Sequence, residues 1–307
     1  MFVFIERKTI NLNNIKKRIN NLCIYWEILG GEMNKFKRNE RIGAIVKILS
    51  DNPNKIFTLS FFTSQFNAAK STISEDLIVV KNVFEKLQLG KVVTISGAAG
   101  GVKYIPKTSK EENEEFLCQL CDRIKEEGRI LSGGFLYLID LIYDPNVVYK
   151  IGEIFASNID YSEVDCVVTM ETKGIPMALM TAKAMNLPLV IIRKNTKVSE
   201  GPTISMTYVT GSSSKIETMS LPSKALKAGS KVIIIDDFMR GGGTIKGMTE
   251  LMKEFEAEVV GTGVFISTMK PENKLVSNYI SLLELDTDGD KIIVHPNLKT
   301  FNHEYRD

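Results

Sequence analysis

The stretch Val232-Ile-Ile-Ile-Asp236-Asp237-Phe238-Met239-Arg240-Gly241-Gly242-Gly243-Thr244 decides the reading of this chain. Four consecutive apolar residues predict a buried strand, since a strand covered on both faces has no polar alternate positions. Two adjacent carboxylates stand at its C-terminal end, a glycine-rich turn follows, and Thr244 opens a helix. Carboxylates in that place can hold the two hydroxyls of a ribose. The N–H groups of the turn and of the helix start can hold a phosphate. The implied ligand is a ribose with a phosphate close by. No Gly-Lys-Ser/Thr closes the turn, so it is not a nucleoside-triphosphate P-loop. The acids precede the glycines, so it is not a dinucleotide fingerprint.

Around this stretch, apolar runs alternate with helical patterns. Cys166–Thr169, Leu189–Ile192, Ser205–Val209, Val232–Ile235 and Val259–Phe265 are expected strands, with helices at about 174–186 and 244–256. The alternation predicts an α/β domain with a mainly parallel sheet. Its ligand belongs beyond the carboxyl ends of the strands. Two further strand exits point there. One is Glu171-Thr172-Lys173-Gly174, which opens a helix. The other is the basic loop that starts Arg193-Lys194 and ends at Gly201.

The segment 33–107 has a different pattern: helix, helix, helix, hairpin. Ile42, Ile45, Val46 and Leu49 fall at helical spacing, and Asp51-Asn52-Pro53-Asn54 breaks that helix. Ser60 is expected to cap a short second helix ending at Phe66. Asn67-Ala68-Ala69 is a tight joint. Ser71 or Thr72 is expected to cap a third helix, with Ile73, Leu77, Val80, Phe84 and Leu87 as its apolar stripe and Gly90 as its end. Lys91–Ser96 and Val102–Ile105 read as strands joined by Gly97-Ala-Ala-Gly-Gly101. Three helices and a hairpin predict a winged helix-turn-helix, whose third helix enters the major groove of DNA. Ser71, Thr72 and Ser74 stand at the start of that helix, flanked by Lys70, Lys91 and Lys103. Lys35, Lys37, Arg38 and Arg41 are the candidate phosphate grips.

Charge supports this division. The chain of 307 residues carries a net charge of only +2. From Asn34 to Lys107, however, there are 12 Lys/Arg against 5 Asp/Glu, and from Thr108 to Asp307 there are 22 against 29. A basic module on an acidic body suits a polyanionic partner at one end. Residues 1–32 are rich in Ile, Asn and Lys with weak periodicity, and they read as a non-native or disordered extension. Met33 is then the expected native start. The expected domains are 33–107 for the winged helix and 108–307 for the ligand-binding domain.

Other motifs are weaker. Cys23, Cys118, Cys121 and Cys166 are too scattered for a disulfide framework, and a reducing cytoplasm is expected. Ser109–Glu127 is an amphipathic helix with Phe116, Leu117, Leu120 and Ile124 on one face. Its lone Cys118-x-x-Cys121 lacks a second pair and fits core thiols better than zinc. Asp286-Thr-Asp288-Gly-Asp290 lacks the ligand spacing of a calcium loop and reads as a turn between two strands. His295 and His303 are too few and too late in the chain for a His-based triad, and no metal site is expected.

The Asp236-Asp237 stretch resembles the binding signature of type I phosphoribosyltransferases, the enzymes that use phosphoribosyl pyrophosphate (PRPP). That signature is four apolar residues, two acids, a variable stretch, then Gly or Ala, any residue and Thr; every position matches. A winged helix fused to such a domain resembles the bacterial purine operon repressor family. Lys70-Ser-Thr-Ile-Ser-Glu-Asp-Leu77, Gly97-Ala-Ala-Gly-Gly-Val-Lys-Tyr-Ile-Pro106 and Gly133-Gly134-Phe135 carry this resemblance, which runs from Met33 to about Leu298. It implies a dimeric, cytoplasmic repressor of purine biosynthesis genes whose operator affinity drops when PRPP binds. By that resemblance Asp236 and Asp237 hold the ribose hydroxyls, and Arg240, Gly241, Gly242, Gly243 and Thr244 cradle the 5′-phosphate, with Phe238 and Met239 between. Thr172, Lys173 and Gly174 meet the pyrophosphate. Arg193 and Lys194 begin a loop that closes over PRPP, and Phe135 stands near the base side. The resemblance implies no obligatory cofactor. It leaves open whether magnesium accompanies PRPP and whether other phosphorylated nucleotides compete for the pocket. The alternative is an active purine phosphoribosyltransferase of the salvage pathway, since a fold does not settle activity.

Overall fold

The structure is a computed structural model that describes residues 36–97, 100–131, 135–195, 201–209, 216–288 and 291–297. The expected extension at residues 1–32, the expected start at Met33, and Lys35 lie outside the described residues.

The N-terminal part is a winged helix. Helices α1 (Arg38–Asp51), α2 (Leu59–Phe66) and α3 (Lys70–Lys86) are followed by strands β1 (Gly90–Ile95) and β2 (Gly101–Pro106), which pair antiparallel. Ile45, Leu49, Phe62, Ile73, Val80 and Phe84 are essentially fully buried between the helices, and Val92, Val102 and Tyr104 cover them from the hairpin. Phe57 bridges to Val102 through two backbone hydrogen bonds, of 2.9 and 2.8 Å, and so seats the α1–α2 connection on the wing. Gly90 has φ +132°, and a Cβ there would stand 2.2 Å from the Ile105 carbonyl oxygen. The chain therefore needs glycine where α3 hands over to the wing.

Two expected caps move. Thr58, not Ser60, caps α2, its side chain accepting from the Phe61 N–H. Ala69 is the N-cap of α3, which places Ser71 and Thr72 inside the first turn. The helix starts earlier because Asn67 adopts the left-handed conformation (φ 45°) and turns the chain at once. Leu87 lies past the last helical turn and is exposed, so it leaves the stripe.

The second part begins with α4 (Lys110–Ile124), capped by Ser109. Then come the short hairpin β3 (Ile130–Leu131) and β4 (Phe135–Leu136), α5 (Ile139–Ile142) and α6 (Pro145–Asn158). Cys121 is buried, as expected of a core thiol, and burial pushes its pKa up to about 12. Cys118 is exposed, one helical step off the buried face. The remaining elements are β5 (Cys166–Met170), α7 (Ile175–Met185), β6 (Leu189–Ile192), β7 (Thr203–Val209), β8 (Ile216–Pro222), β9 (Lys231–Met239), α8 (Gly243–Glu254), β10 (Glu258–Thr268), β11 (Ile280–Asp288) and β12 (Lys291–Pro296).

Six strands form the main sheet in the order β12-β11-β10-β9-β5-β6. All neighbours are parallel except β12, which runs antiparallel at the edge. This is the mainly parallel α/β sheet of the type I phosphoribosyltransferase fold. Ile233 and Ile235 face the core shared with α6 and α7, whereas Val232 and Ile234 face the core shared with α8. The alternation explains the unbroken apolar run, because both faces of β9 are covered. One expectation fails: Ser205–Val209 lies in β7, which pairs with β8 in a separate hairpin rather than joining the main sheet.

Candidate effector pocket and nucleic-acid interface

The acid pair lies within β9, which runs on to Met239. Asp236 is 6% exposed. Its Oδ1 accepts from the Asp237 N–H at 3.0 Å, so the pair braces itself. Burial pushes Asp236 well above the usual carboxylate range, and the neighbouring Asp237 charge adds to the shift. Burial raises Asp237 as well, opposed by its hydrogen bond with Asp236 and by the Lys173 cation. Two desolvated carboxylates side by side are costly unless donors reach them. Vicinal ribose hydroxyls are such donors.

The phosphate cradle follows directly. Gly242 has φ +83°, which turns the chain from β9 into α8, and Gly243 begins the helix. The first turn of an α-helix leaves its amides without intrahelical partners, and its dipole favours an anion. A small cleft of about 80 Å³ is lined here by Asp236 and by Phe238 to Ile245. Phe238 packs against one core and Met239 is buried in the other, so their side chains are committed to the fold. Lys274, which sequence reasoning did not single out, donates to the Arg240 carbonyl at 2.8 Å and to the Pro271 carbonyl at 3.0 Å. Leu275 N–H donates to the Gly241 carbonyl at 2.9 Å. The cradle is thus held from behind by a segment 34 residues away, which no local signal announces.

The loop Thr172-Lys173-Gly174 leaves β5, the strand beside β9. Gly174 packs so closely that a Cβ there would stand 2.6 Å from Thr169 Oγ1 and 3.2 Å from Asp236 Oδ1. Lys173 is exposed, and its charge is felt at Asp237. Adjacent strands therefore bring the acid pair, the cradle and this loop together. Arg193 and Lys194 leave β6, one strand further out, and are already paired. Arg193 Nη1 meets Glu171 Oε2 at 3.2 Å, and Lys194 Nζ meets Glu217 Oε2 at 3.0 Å. Glu171 Oε1 also accepts from the Lys194 N–H at 2.6 Å. Phe135 is 72% exposed on β4 and does not line the cleft.

On the winged helix, Lys70, Ser71 and Ser74 are exposed at the start of α3, and Thr72 is half-buried. The Ser74 hydroxyl donates to the Lys70 carbonyl at 2.9 Å. Lys91 pairs with Ile105 and Lys103 with Val93, so both lysines sit on the face of the wing opposite Val92 and Val102. Arg38 is exposed. The Lys37 N–H donates to Glu40 Oε2 at 2.7 Å, closing the start of α1. Arg41 is not a surface grip. It is 7% exposed, its Nε donates to Asp76 Oδ2 at 2.7 Å and its Nη1 to the Phe36 carbonyl at 2.9 Å. Its helical position turns it inward against α3, where it serves as a strut.

Fold and site define a winged helix joined to a phosphoribosyltransferase-type sheet domain. The family model described as bacterial purine repressor, N-terminal, matches residues 37–106, and that of the phosphoribosyl transferase domain matches residues 139–300. The chain is 47% identical over 253 residues to the purine biosynthesis transcriptional repressor PurR of Bacillus subtilis (strain 168), covering 82% of this chain and 89% of that protein. It is 40% identical over 250 residues to the purine biosynthesis transcriptional activator PurR of Lactococcus lactis subsp. lactis (strain IL1403), covering 81% of this chain and 92% of that protein. A xanthine phosphoribosyltransferase of Exiguobacterium sp. is 33% identical over 152 residues, covering 48% of this chain and 79% of that enzyme. The chain belongs to the bacterial purine repressor family.

Proposed function

We propose that this chain is a DNA-binding repressor of purine biosynthesis genes, and that PRPP in the β9–α8 pocket lowers its operator affinity. One observation carries the reading: a single chain joins a winged helix with an exposed basic face to a buried acid pair beside a glycine cradle. Asp236 and Asp237 accept the ribose hydroxyls, residues 240–244 receive the 5′-phosphate, and residues 172–174 receive the pyrophosphate. The anionic pyrophosphate competes with Glu171 and Glu217 for Arg193 and Lys194. Magnesium, in this reading, rides on the oxygens of PRPP rather than in a protein cage. Other phosphorylated nucleotides compete for the cradle.

Ser71 and Ser74 meet the major groove, while Lys37, Arg38, Lys70, Lys91 and Lys103 hold phosphates. The protein acts in the cytoplasm as a homodimer, because a two-fold protein reads paired half-sites. It is a sensor rather than an enzyme. In this reading the domains are 33–107 and 108–307, a division that falls in the connection between β2 and α4.

The test is a titration of purine-operon promoter DNA at fixed salt, with and without PRPP. Specific binding that PRPP weakens supports the reading. Binding indifferent to PRPP overturns the effector assignment, and pyrophosphate release with a nucleobase overturns the non-enzymatic one. By linkage, DNA must weaken PRPP binding by the same factor.

A further inference from the structure

One pair of helices joins the pocket to the winged helix. α7 starts immediately after Gly174, whose contact with Thr169 and Asp236 leaves no slack. Its 11 residues span about 16 Å at the rise of an α-helix. In its last turn the Ala184 carbonyl accepts from Asn54 Nδ2 at 2.7 Å, across 130 residues of sequence. α6 lies against α7 almost backbone to backbone: a Cβ at Gly152 would stand 2.6 Å from the Met180 carbonyl carbon and 2.7 Å from the Thr181 nitrogen. Close-packed elements of this kind move together between discrete arrangements instead of deforming.

α6 reaches the winged helix too. Thr108 Oγ1, in the connection after β2, donates to Ser157 Oγ at 3.3 Å. Tyr149 and Glu153 of α6 line a cavity at the seam together with Tyr104 of β2 and Pro53 of the α1–α2 connection. Asn54 is the meeting point on the DNA side. It holds a left-handed φ of 60°, and its N–H donates to the Tyr104 carbonyl at 2.7 Å. A single residue thus ties the wing, through its backbone N–H, and the end of α7, through its side-chain amide, to the α1–α2 connection.

We propose that α6 and α7 act as one lever that carries occupancy of the acid-pair pocket to the winged helix, with the Asn54–Ala184 hydrogen bond as its DNA-side attachment. The inference rests on the PRPP reading above. A ligand that resets residues 172–174 must displace the start of α7, and the displaced helix end carries Asn54 with it. The winged helices of a dimer then leave the spacing that fits operator half-sites.

The experiment compares wild type with Asn54→Asp and Asn54→Gly. Both substitutions tolerate a left-handed φ, so the turn survives while the donor to Ala184 is lost. PRPP affinity is read by calorimetry and operator affinity by titration. Both variants should bind PRPP, and operator without PRPP, as wild type does. The PRPP-induced loss of operator affinity should shrink from roughly tenfold or more to about twofold. An undiminished response in both variants overturns the lever while the PRPP reading stands. A wild type that ignores PRPP overturns both. Amide exchange in wild type gives a readout independent of the variants: PRPP should alter protection at residues 52–56 and 182–188 as well as at 172–174. A change confined to 172–174 overturns the lever.

Discussion

Asp76 in the winged helix is 1% exposed and Asp236 in the sheet domain 6%, yet the two carboxylates are compensated in different ways. Asp76 has Arg41 at 2.7 Å and Arg38 at 3.5 Å. Asp236 has a second carboxylate beside it and one backbone N–H at 3.0 Å. A buried charge with its counter-charge is neutralised in the absence of any ligand, even though Asp76 Oδ1 makes no hydrogen bond, and the pair holds two helices together. A buried pair of like charges is incomplete, and folding is compromised locally in order to leave donors wanted. Burial alone therefore does not mark a site; the missing partner does.

The comparison is most exposed to refutation at Asp76. Asp76→Ala should leave Arg41 buried and unpaired, at a cost of about 3–5 kcal/mol to the winged helix. The unfolding transition of the DNA-binding part should fall sharply, and an unchanged transition would show that Arg41 relaxes to solvent. Next in size is Asp237→Ala. Losing hydrogen bonds to a charged acceptor should weaken PRPP binding by about 1.5–3 kcal/mol, roughly 10- to 150-fold, with operator binding kept. Normal PRPP induction in that variant would remove the acid pair from the pocket.

Asp236→Asn should do the opposite of Asp76→Ala to stability. It relieves a desolvated charge while keeping the acceptor for the Asp237 N–H, and should stabilise the ligand-free protein by about 1–2 kcal/mol at neutral pH. The sign follows from the raised pKa. Such a carboxylate contributes stability that is complete below its unfolded pKa of about 3.9 and is lost as pH rises through the folded value. The gain of the variant over wild type should accordingly grow from acid to neutral pH in paired thermal melts; a constant difference would mean that Asp236 does not titrate in that window. The smallest effect is expected at the exposed end of the comparison. Lys70→Ala should weaken DNA binding about equally for all sequences and lower its salt slope by about 1. An intact slope would take Lys70 off the phosphate contacts.

Arg41 shows where sequence reading stops. Charge and position in a basic segment place it among phosphate grips, although its spacing of four from Ile45 sets it on the buried face of α1. Only the approach of α3 supplies the counter-charge, Asp76, that lets an arginine stay there. Lys274 is the converse case, a surface-like lysine that reaches the cradle because it lies in the connection leaving β10, the strand beside β9. α6 went unpredicted although Asp144-Pro145 is an N-cap followed by proline at the first helical position, a legible start signal. The caps expected at Ser60 and at Ser71 or Thr72 lie two to three residues past the observed ones, because Thr58 and a left-handed Asn67 set the helix starts.

What the sequence determined by itself is local and periodic: the winged-helix order, the alternating strands and helices, and the acid pair leading into a glycine turn. These follow from hydrophobic spacing, turn chemistry and backbone freedom, all of which act within a few residues. Tertiary structure alone decided which carboxylates are compensated, that Arg41 is a strut, that β7 leaves the sheet, and that Asn54 meets Ala184. Those outcomes depend on groups tens to more than a hundred residues apart, whose desolvation and pairing exist only once the chain has closed around them.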